Sequence, residues 1–382
     1  MTAAVRNGQP APPFAPSAGG NGGRPMRFSV DAWDPSYGTN TEIEDFLAES
    51  TARVDVNVEL PAGQWRAIDP DPGRPVPAAL LFVDGVRRVE ARVWIEDGAP
   101  GGEASMGLCA SYAAGVVCCC GQQAHLVRFE TRRGLFTVAP RADAIVTWAG
   151  EYTAHRTAAT KQKPVPVILS ESLQGRLRDV EVVTAVEARA AIAGHGVPEG
   201  RDLLVIDGPL RGRQHLPRAL GYIKSHRTTY LPPDLNGLVA ALSPGQRTPV
   251  FLAGTNWDRH TWYLRLPMAA GPAVAPWAGI VRIECSADLP SGEVIGLAGL
   301  SQVCLGRFAS AEYKDARAPQ NLYPIAGLER ELRRRLGDPR LLQRALRLTA
   351  QAVTAPAVTA PAVTAPAVTA PAVTAPAVTA PR

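Results

Sequence analysis

Two carboxylates stand at matching places in two similar segments. Leu80-Leu81-Phe82-Val83-Asp84-Gly85 and Leu203-Leu204-Val205-Ile206-Asp207-Gly208 are each an apolar run ending in one Asp and one Gly. A buried strand reads this way when it delivers an acidic side chain to its open end. If the two strands are neighbours, Asp84 and Asp207 come close together. Close carboxylates repel, so such a pair binds a divalent cation or traps a proton. An Asp-Gly after a strand is also an ordinary turn signal, in which case neither Asp does chemistry.

A third carboxylate is expected from the helix between the two strands. Glu187 is the best candidate, because its helix hands directly to the second Asp strand; Glu171 and Glu181 are alternatives. Three converging carboxylates form an oxygen cage suited to Mn²⁺ or Mg²⁺. Two such ions about 4 Å apart activate a water and stabilise the leaving oxygen of a phosphodiester. Glu187 also reads as a solvated helix residue.

Cations cluster beside these acids. The chain has 40 Lys+Arg against 35 Asp+Glu, so it is only mildly basic. Arg211, Arg213, Arg218, Lys224 and Arg227 nevertheless follow the second Asp-Gly, and Arg330, Arg333, Arg334, Arg335, Arg340, Arg344 and Arg347 crowd the last helical stretch. Solvated faces explain such clusters too, but phosphodiester substrates need both acids and cations. Arg211, Arg213, Lys224 and Arg227 are therefore expected to contact nucleic acid. Lys224 is further expected to hold a phosphate or orient the attacking water, or else to cap a helix C-terminus. Trp257, Trp262 and Trp277 suit base stacking or packing, and Tyr263 reads as a core aromatic. His215, His226 and His260 lack metal-helix spacing.

The elements that must position these groups follow from pattern. Residues 79–84 and the alternating run 87–96 read as strands with a turn at Gly85-Val86, after an earlier alternating strand, Arg53 to Leu60. Met106–Cys120 and His125–Val138 add two more, giving an antiparallel meander. Leu173, Leu177, Val180, Val183, Val186 and Ile192 recur at helical spacing between an N-cap at Ser170 and a stop at Gly194. Leu203–Asp207 returns to strand, a second helix is expected near Leu216–Ser225, and strands near 249–252, 261–266 and 280–285 precede a helix from Ile325 to Arg347 broken at Gly337-Asp338-Pro339. This order predicts an α/β fold of the ribonuclease-H-like kind, a mixed sheet with flanking helices.

The ends differ. Residues 1–25 hold few large apolar side chains, and from Ala352 to Pro381 the unit Ala-Val-Thr-Ala-Pro repeats six times. A Pro every fifth residue forbids a continuous helix or a central strand. Residues 1–25 and 351–382 are expected to be disordered tails around a folded region, 26–350. No secretory signal or membrane-length apolar run is evident. The triplet Cys118-Cys119-Cys120 cannot chelate one zinc with normal ligand spacing and reads as a buried strand of free thiols in a reducing, cytoplasmic compartment.

The chain resembles the NurA nucleases, which work with the HerA hexameric ATPase at DNA ends. The matching pieces are Phe82-Val83-Asp84-Gly85, the helix carrying Glu187, Val205-Ile206-Asp207-Gly208-Pro209-Leu210, Gly221-Tyr222-Ile223-Lys224-Ser225, Tyr263-Leu264-Arg265-Leu266, Ile280-Val281-Arg282-Ile283-Glu284 and Leu322-Tyr323-Pro324-Ile325. The likeness spans about residues 78–340. It implies a homodimer, Mn²⁺-dependent cleavage of DNA including 5′-to-3′ exonuclease action, double-strand-break end processing and repair, a HerA-like partner, and Asp84, Glu187 and Asp207 as acidic ligands. The family tends to carry a His in the helix after its Tyr-Pro motif. Here no His follows Tyr323-Pro324, and Glu329 stands near that position, as a further metal ligand or as a helix-surface residue. A non-catalytic DNA-binding or ATPase-adaptor protein on the same fold is the alternative. A two-carboxylate glycosidase is disfavoured by the Arg clusters.

Overall fold

The computed structural model describes residues 52–354 apart from 97–103, 122, 195, 227–228, 268–275, 312–313 and 316. Residues 1–25, the repeat beyond Thr354 and Arg227 lie outside the described residues. In chain order the elements are β1 (Arg53–Asp55), β2 (Ala79–Ile95), β3 (Ser105–Cys120), β4 (Gln123–Thr137), β5 (Ile145–Thr147), β6 (Gly150–Arg156), α1 (Val165–Gly194), β7 (Asp202–Asp207), β8 (Ala219–Ile223), α2 (Pro233–Ala241), β9 (Phe251–Gly254), β10 (Asp258–Arg265), β11 (Ile280–Ser286), α3 (Ser291–Leu305), α4 (Tyr323–Arg335) and α5 (Pro339–Thr354). The described residues fall into two compact units, one from Pro77–Leu220 with residues 324–354, the other from residues 52–76 with Gly221–Tyr323.

In the first unit β2, β3 and β4 form an antiparallel meander. The crossover helix α1 then returns the chain to β7, which pairs with β2 in parallel. Across the sheet the order is β7-β2-β3-β4-β6-β5. Meander, crossover helix and parallel return make up the ribonuclease-H-like plan, so the fold is mixed α/β as expected. Leu80, Leu81, Phe82 and Val83 are fully buried because helices cover both faces of β2. On one face α1 sets Leu169, Leu173, Leu177 and Val180 against Ala110, Tyr112, Ala114 and Phe136. Each such side chain contributes about 1.5–3 kcal/mol by leaving water. On the other face α4 lies over β3, where a Cβ added at Gly115 would stand 3.1 Å from Leu328 Cδ1 and Leu332 Cδ2.

Four local expectations are corrected. Gly85-Val86 is no turn: β2 runs unbroken for 17 residues. Gly85 is required by close packing, since a Cβ there would come within 2.8 Å of Leu177 Cδ1 on α1. The segment expected as a second helix is the strand β8, whose five residues are all buried; a short apolar run buried on every side carries no period that separates helix from strand. The alternation from Arg53 to Leu60 yields only the three residues of β1. Conversely, α1 begins at Val165, before Ser170, because Pro166 suits a first turn and Ile168 and Leu169 are buried. The break before Pro339 is present, and α5 runs on to Thr354, into the first repeat.

In the second unit the strands run β1-β9-β10-β11-β8, paired antiparallel. Its core joins Leu231, Val239, Phe251, Tyr263 and Ile280. Carboxylates taken wholly or partly out of water here are matched by guanidinium groups. Arg247 donates to both oxygens of Glu59 at 2.6 and 2.8 Å. Glu284, fully buried, faces Arg282 at 2.9 Å and Arg259 at 3.3 Å. No helix among the described residues is long and apolar enough to cross a membrane.

Candidate active site

Asp84 and Asp207 reach the site through strand register. Leu80 to Val83 pair in order with Leu203 to Ile206; Asp84 and Asp207 are the next residues beyond that ladder, and one more step along the same register would bring them abreast. Neighbouring strands lie about 4.8 Å apart and in-register side chains share a face, so both carboxylates project to one side. Asp84 is buried at 8% exposure, and its Oδ1 accepts the Gly85 amide at 2.7 Å. Asp207 is half-buried at the strand end, where Gly208 turns the chain with φ of 92°. The second Asp-Gly thus ends its strand at a glycine of positive φ, whereas the first stands inside a strand.

The face follows from alternation. Gly85 looks toward α1, so Asp84 looks the other way, as does its cross-strand partner Gly115, which lies beneath α4. Glu329 sits on α4 in the same turn as Leu328 and Leu332. Its side chain is 14% exposed, and Oε1 accepts from Arg333 Nη2 at 2.8 Å. Asp84, Asp207 and the helix bearing Glu329 therefore share one face.

Glu187 does not join them. It lies on α1, across the sheet, half exposed, with Oε2 3.7 Å from Arg128 Nε. Arg128 pairs in register with Val116, whose side chain points to the α1 face. A helix covering one face of a sheet cannot lend a carboxylate to the opposite face. The alternatives also go elsewhere: Glu171 pairs with Lys163 at 2.6 Å, and Glu181 is buried in an ion pair with Arg213. This corrects Arg213 as well. Expected to meet phosphate, it is 4% exposed and donates from Nη1 to the Pro209 carbonyl at 2.7 Å, bracing the turn after Asp207. Arg211 is exposed in that turn.

Lys224 belongs to the second unit. Its Nζ donates to Asn321 Oδ1 at 3.1 Å, and Asn321 Nδ2 donates to Asp315 Oδ2 at 2.6 Å. It follows a strand, so it caps no helix. Tyr263 is a core residue, packed on Phe251 and Trp277. Trp262 is fully buried, with Nε1 donating to Ser301 Oγ at 3.0 Å. His226 donates from Nε2 to the Ile280 carbonyl at 2.8 Å, and burial lowers its pKa to about 4.

One group escaped sequence reasoning. Cys118, Cys120 and His125 present ligand atoms that all lie within 4.8 Å of one another. The Cys triplet alone predicts no site, because alternation throws Cys119 to the opposite face. The hairpin supplies the missing donor by setting His125 opposite Cys118. A Cys-x-Cys followed by a tight turn and a His was the available signal.

No protein-family model matches the chain, and a search of characterised protein sequences gave no match. Among solved structures, the crystal structure of the NurA nuclease from Sulfolobus solfataricus is similar to this chain, with a TM-score of 0.39 and 9% identity over 74% of this chain and 88% of that one.

Proposed function

We propose that the chain is a metal-dependent nuclease acting on DNA, with Asp84, Asp207 and Glu329 holding Mn²⁺ or Mg²⁺. The observation that carries this is the parallel register of β2 and β7, paired as far as Val83 and Ile206, whose continuation by one residue would bring Asp84 abreast of Asp207 on the face crossed by α4. An apolar core gains nothing from paired acids, while hard cations are bound by such oxygen sets. When bound, the cation supplies an activated water and charge stabilisation for a leaving phosphate oxygen. The protein's own share is positional. Gly208 opens the strand end to a bulky polymer, Arg213 braces the turn from beneath, and Arg211 offers its guanidinium to phosphate. On the second unit Lys224, oriented by Asn321, carries an ammonium able to meet a phosphate.

The resemblance of the motifs to NurA nucleases extends the proposal to 5′-to-3′ processing of double-strand breaks, a homodimer, and partnership with a HerA-like hexameric ATPase. The decisive experiment follows labelled single- and double-stranded DNA with Mn²⁺, comparing wild type with Asp84→Ala. Metal-dependent degradation lost in the variant is expected. Equal degradation by both proteins removes the case for catalysis here, and DNA binding without degradation by either points to the adaptor.

A further inference from the structure

The tip of the β3–β4 hairpin gathers two thiols and an imidazole that the nuclease proposal does not use. Cys118 and Cys120 alternate with Cys119 along β3, so they share one face. Gly121, at φ of 59°, starts the turn, and the return strand places His125 in register with Cys118 and Gln123 with Cys120. The three ligand atoms lie within 4.8 Å of one another. Tetrahedral zinc with its usual Zn–S and Zn–N bond lengths spaces its ligands roughly 3.3–3.8 Å apart. Small rotations about the Cys120 and His125 side chains close that gap, and these two residues are half-buried and exposed, respectively.

Burial grades across the cluster. Cys118 is fully buried, Cys120 half-buried and His125 exposed. A core role accounts for Cys118, but not for a second thiol and an imidazole converging on it at the solvent boundary. We propose that Cys118, Cys120 and His125 bind one Zn²⁺, with solvent at the fourth position. Thiolate and imidazole donors suit zinc, whereas the oxygen set at Asp84 suits Mn²⁺ or Mg²⁺. Binding forms two Zn–S bonds and breaks two S–H bonds, and both protons pass to solvent. In the metal-free protein burial keeps the Cys118 thiol protonated, its pKa pushed up to about 12. A divalent cation at the sulfur reverses that preference.

The position suggests what the ion does. A bulge offsets the β3–β4 ladder between Val116 and Val117, leaving a short paired segment beyond it, Val117 to Cys120 against Gln123 to Leu126. The ion would clamp that segment, which β6 does not reach because β6 pairs only with Gly134–Thr137 of β4. Cys118 pairs with Leu81, whose side chain alternates to the α1 face, opposite to Asp84. The two metal sites are therefore separate.

The test uses the full chain. Elemental analysis after dialysis is expected to find one zinc per chain, and Co²⁺ substitution is expected to give thiolate-to-cobalt charge-transfer bands with tetrahedral d–d bands. Cys120→Ser and His125→Ala, both away from the buried core, should weaken Zn²⁺ affinity at least tenfold. Cys119→Ser and Asp84→Ala should leave it unchanged, so this site and the nuclease proposal stand or fall separately. Absence of the thiolate–cobalt bands, bands that persist unaltered in Cys120→Ser and His125→Ala, or a Cys118–Cys120 disulfide in protein that takes up no zinc would each overturn the proposal.

Discussion

Asp84 is a carboxylate carried inward by a strand whose neighbours are Leu, Phe and Val, and Asp207 follows the last residue of β7 paired with that strand. Two such charges are tolerated side by side when a cation lies between them. In the proposed site, which glutamate could complete the set depends on face. Glu329 belongs to the helix over Gly115, and Glu187 to the helix beneath Gly85. Glu329→Gln is therefore expected to lower Mn²⁺-dependent DNA cleavage by at least about tenfold, as loss of residues that support metal sites does. Glu187→Gln is expected to leave the rate within about twofold, since an exposed ion pair with Arg128 contributes little. Steady-state cleavage at saturating Mn²⁺ measures both; the reverse order would return the third ligand to α1.

At the level of elements, α1 presses on β2 closely enough that Gly85 has no room for a side chain. Gly85→Ala brings a methyl group against Leu177 and is expected to destabilise the fold by about 1–3 kcal/mol, read from the urea midpoint. In the second unit His226 is held neutral among Tyr263 and Trp277, donating to the Ile280 carbonyl. Unfolded, its imidazole takes a proton near 6.5; folded, burial delays this to about 4. Between those pH values the unfolded chain binds more protons. The neutral ring's contribution is thus fully present above pH 6.5 and is lost as pH falls toward 4. At most about 3 kcal/mol is at stake, since each pH unit between the two pKa values corresponds to about 1.4 kcal/mol. Urea unfolding across this window should show a slope with pH that His226→Gln flattens; an unchanged slope would assign the effect to other groups.

Over the whole molecule the net charge is only +5, so affinity for a polyanion depends on where cations are free to act. Many arginines are already engaged: Arg259 and Arg282 neutralise the buried Glu284, Arg247 neutralises the half-buried Glu59, and Arg333 and Arg335 pair along α4. Arg340, Arg344 and Arg347 line the exposed side of α5. Binding of DNA is expected to weaken steeply with salt, and replacing these three by Gln should make the log–log slope shallower by about 1 for each phosphate they no longer neutralise. Fluorescence anisotropy at several salt concentrations gives the slope; an unchanged value would place DNA elsewhere.

From the sequence alone came the elements whose signals are local. Apolar runs ending in Asp identified β2 and β7, the 3.6-residue period identified α1, and their order predicted the ribonuclease-H-like plan. Which carboxylates share a face was not legible, because alternation in a strand fixes sides only relative to its neighbours. The choice between Glu187 and Glu329 depends on which helix covers which face, a fact of packing between segments far apart in the chain. Arg213 shows the same limit: its charge read as a surface feature until Glu181 buried it. Cys118, Cys120 and His125 became a set only when the hairpin closed, since donor convergence is a property of register, and register is settled by the whole sheet.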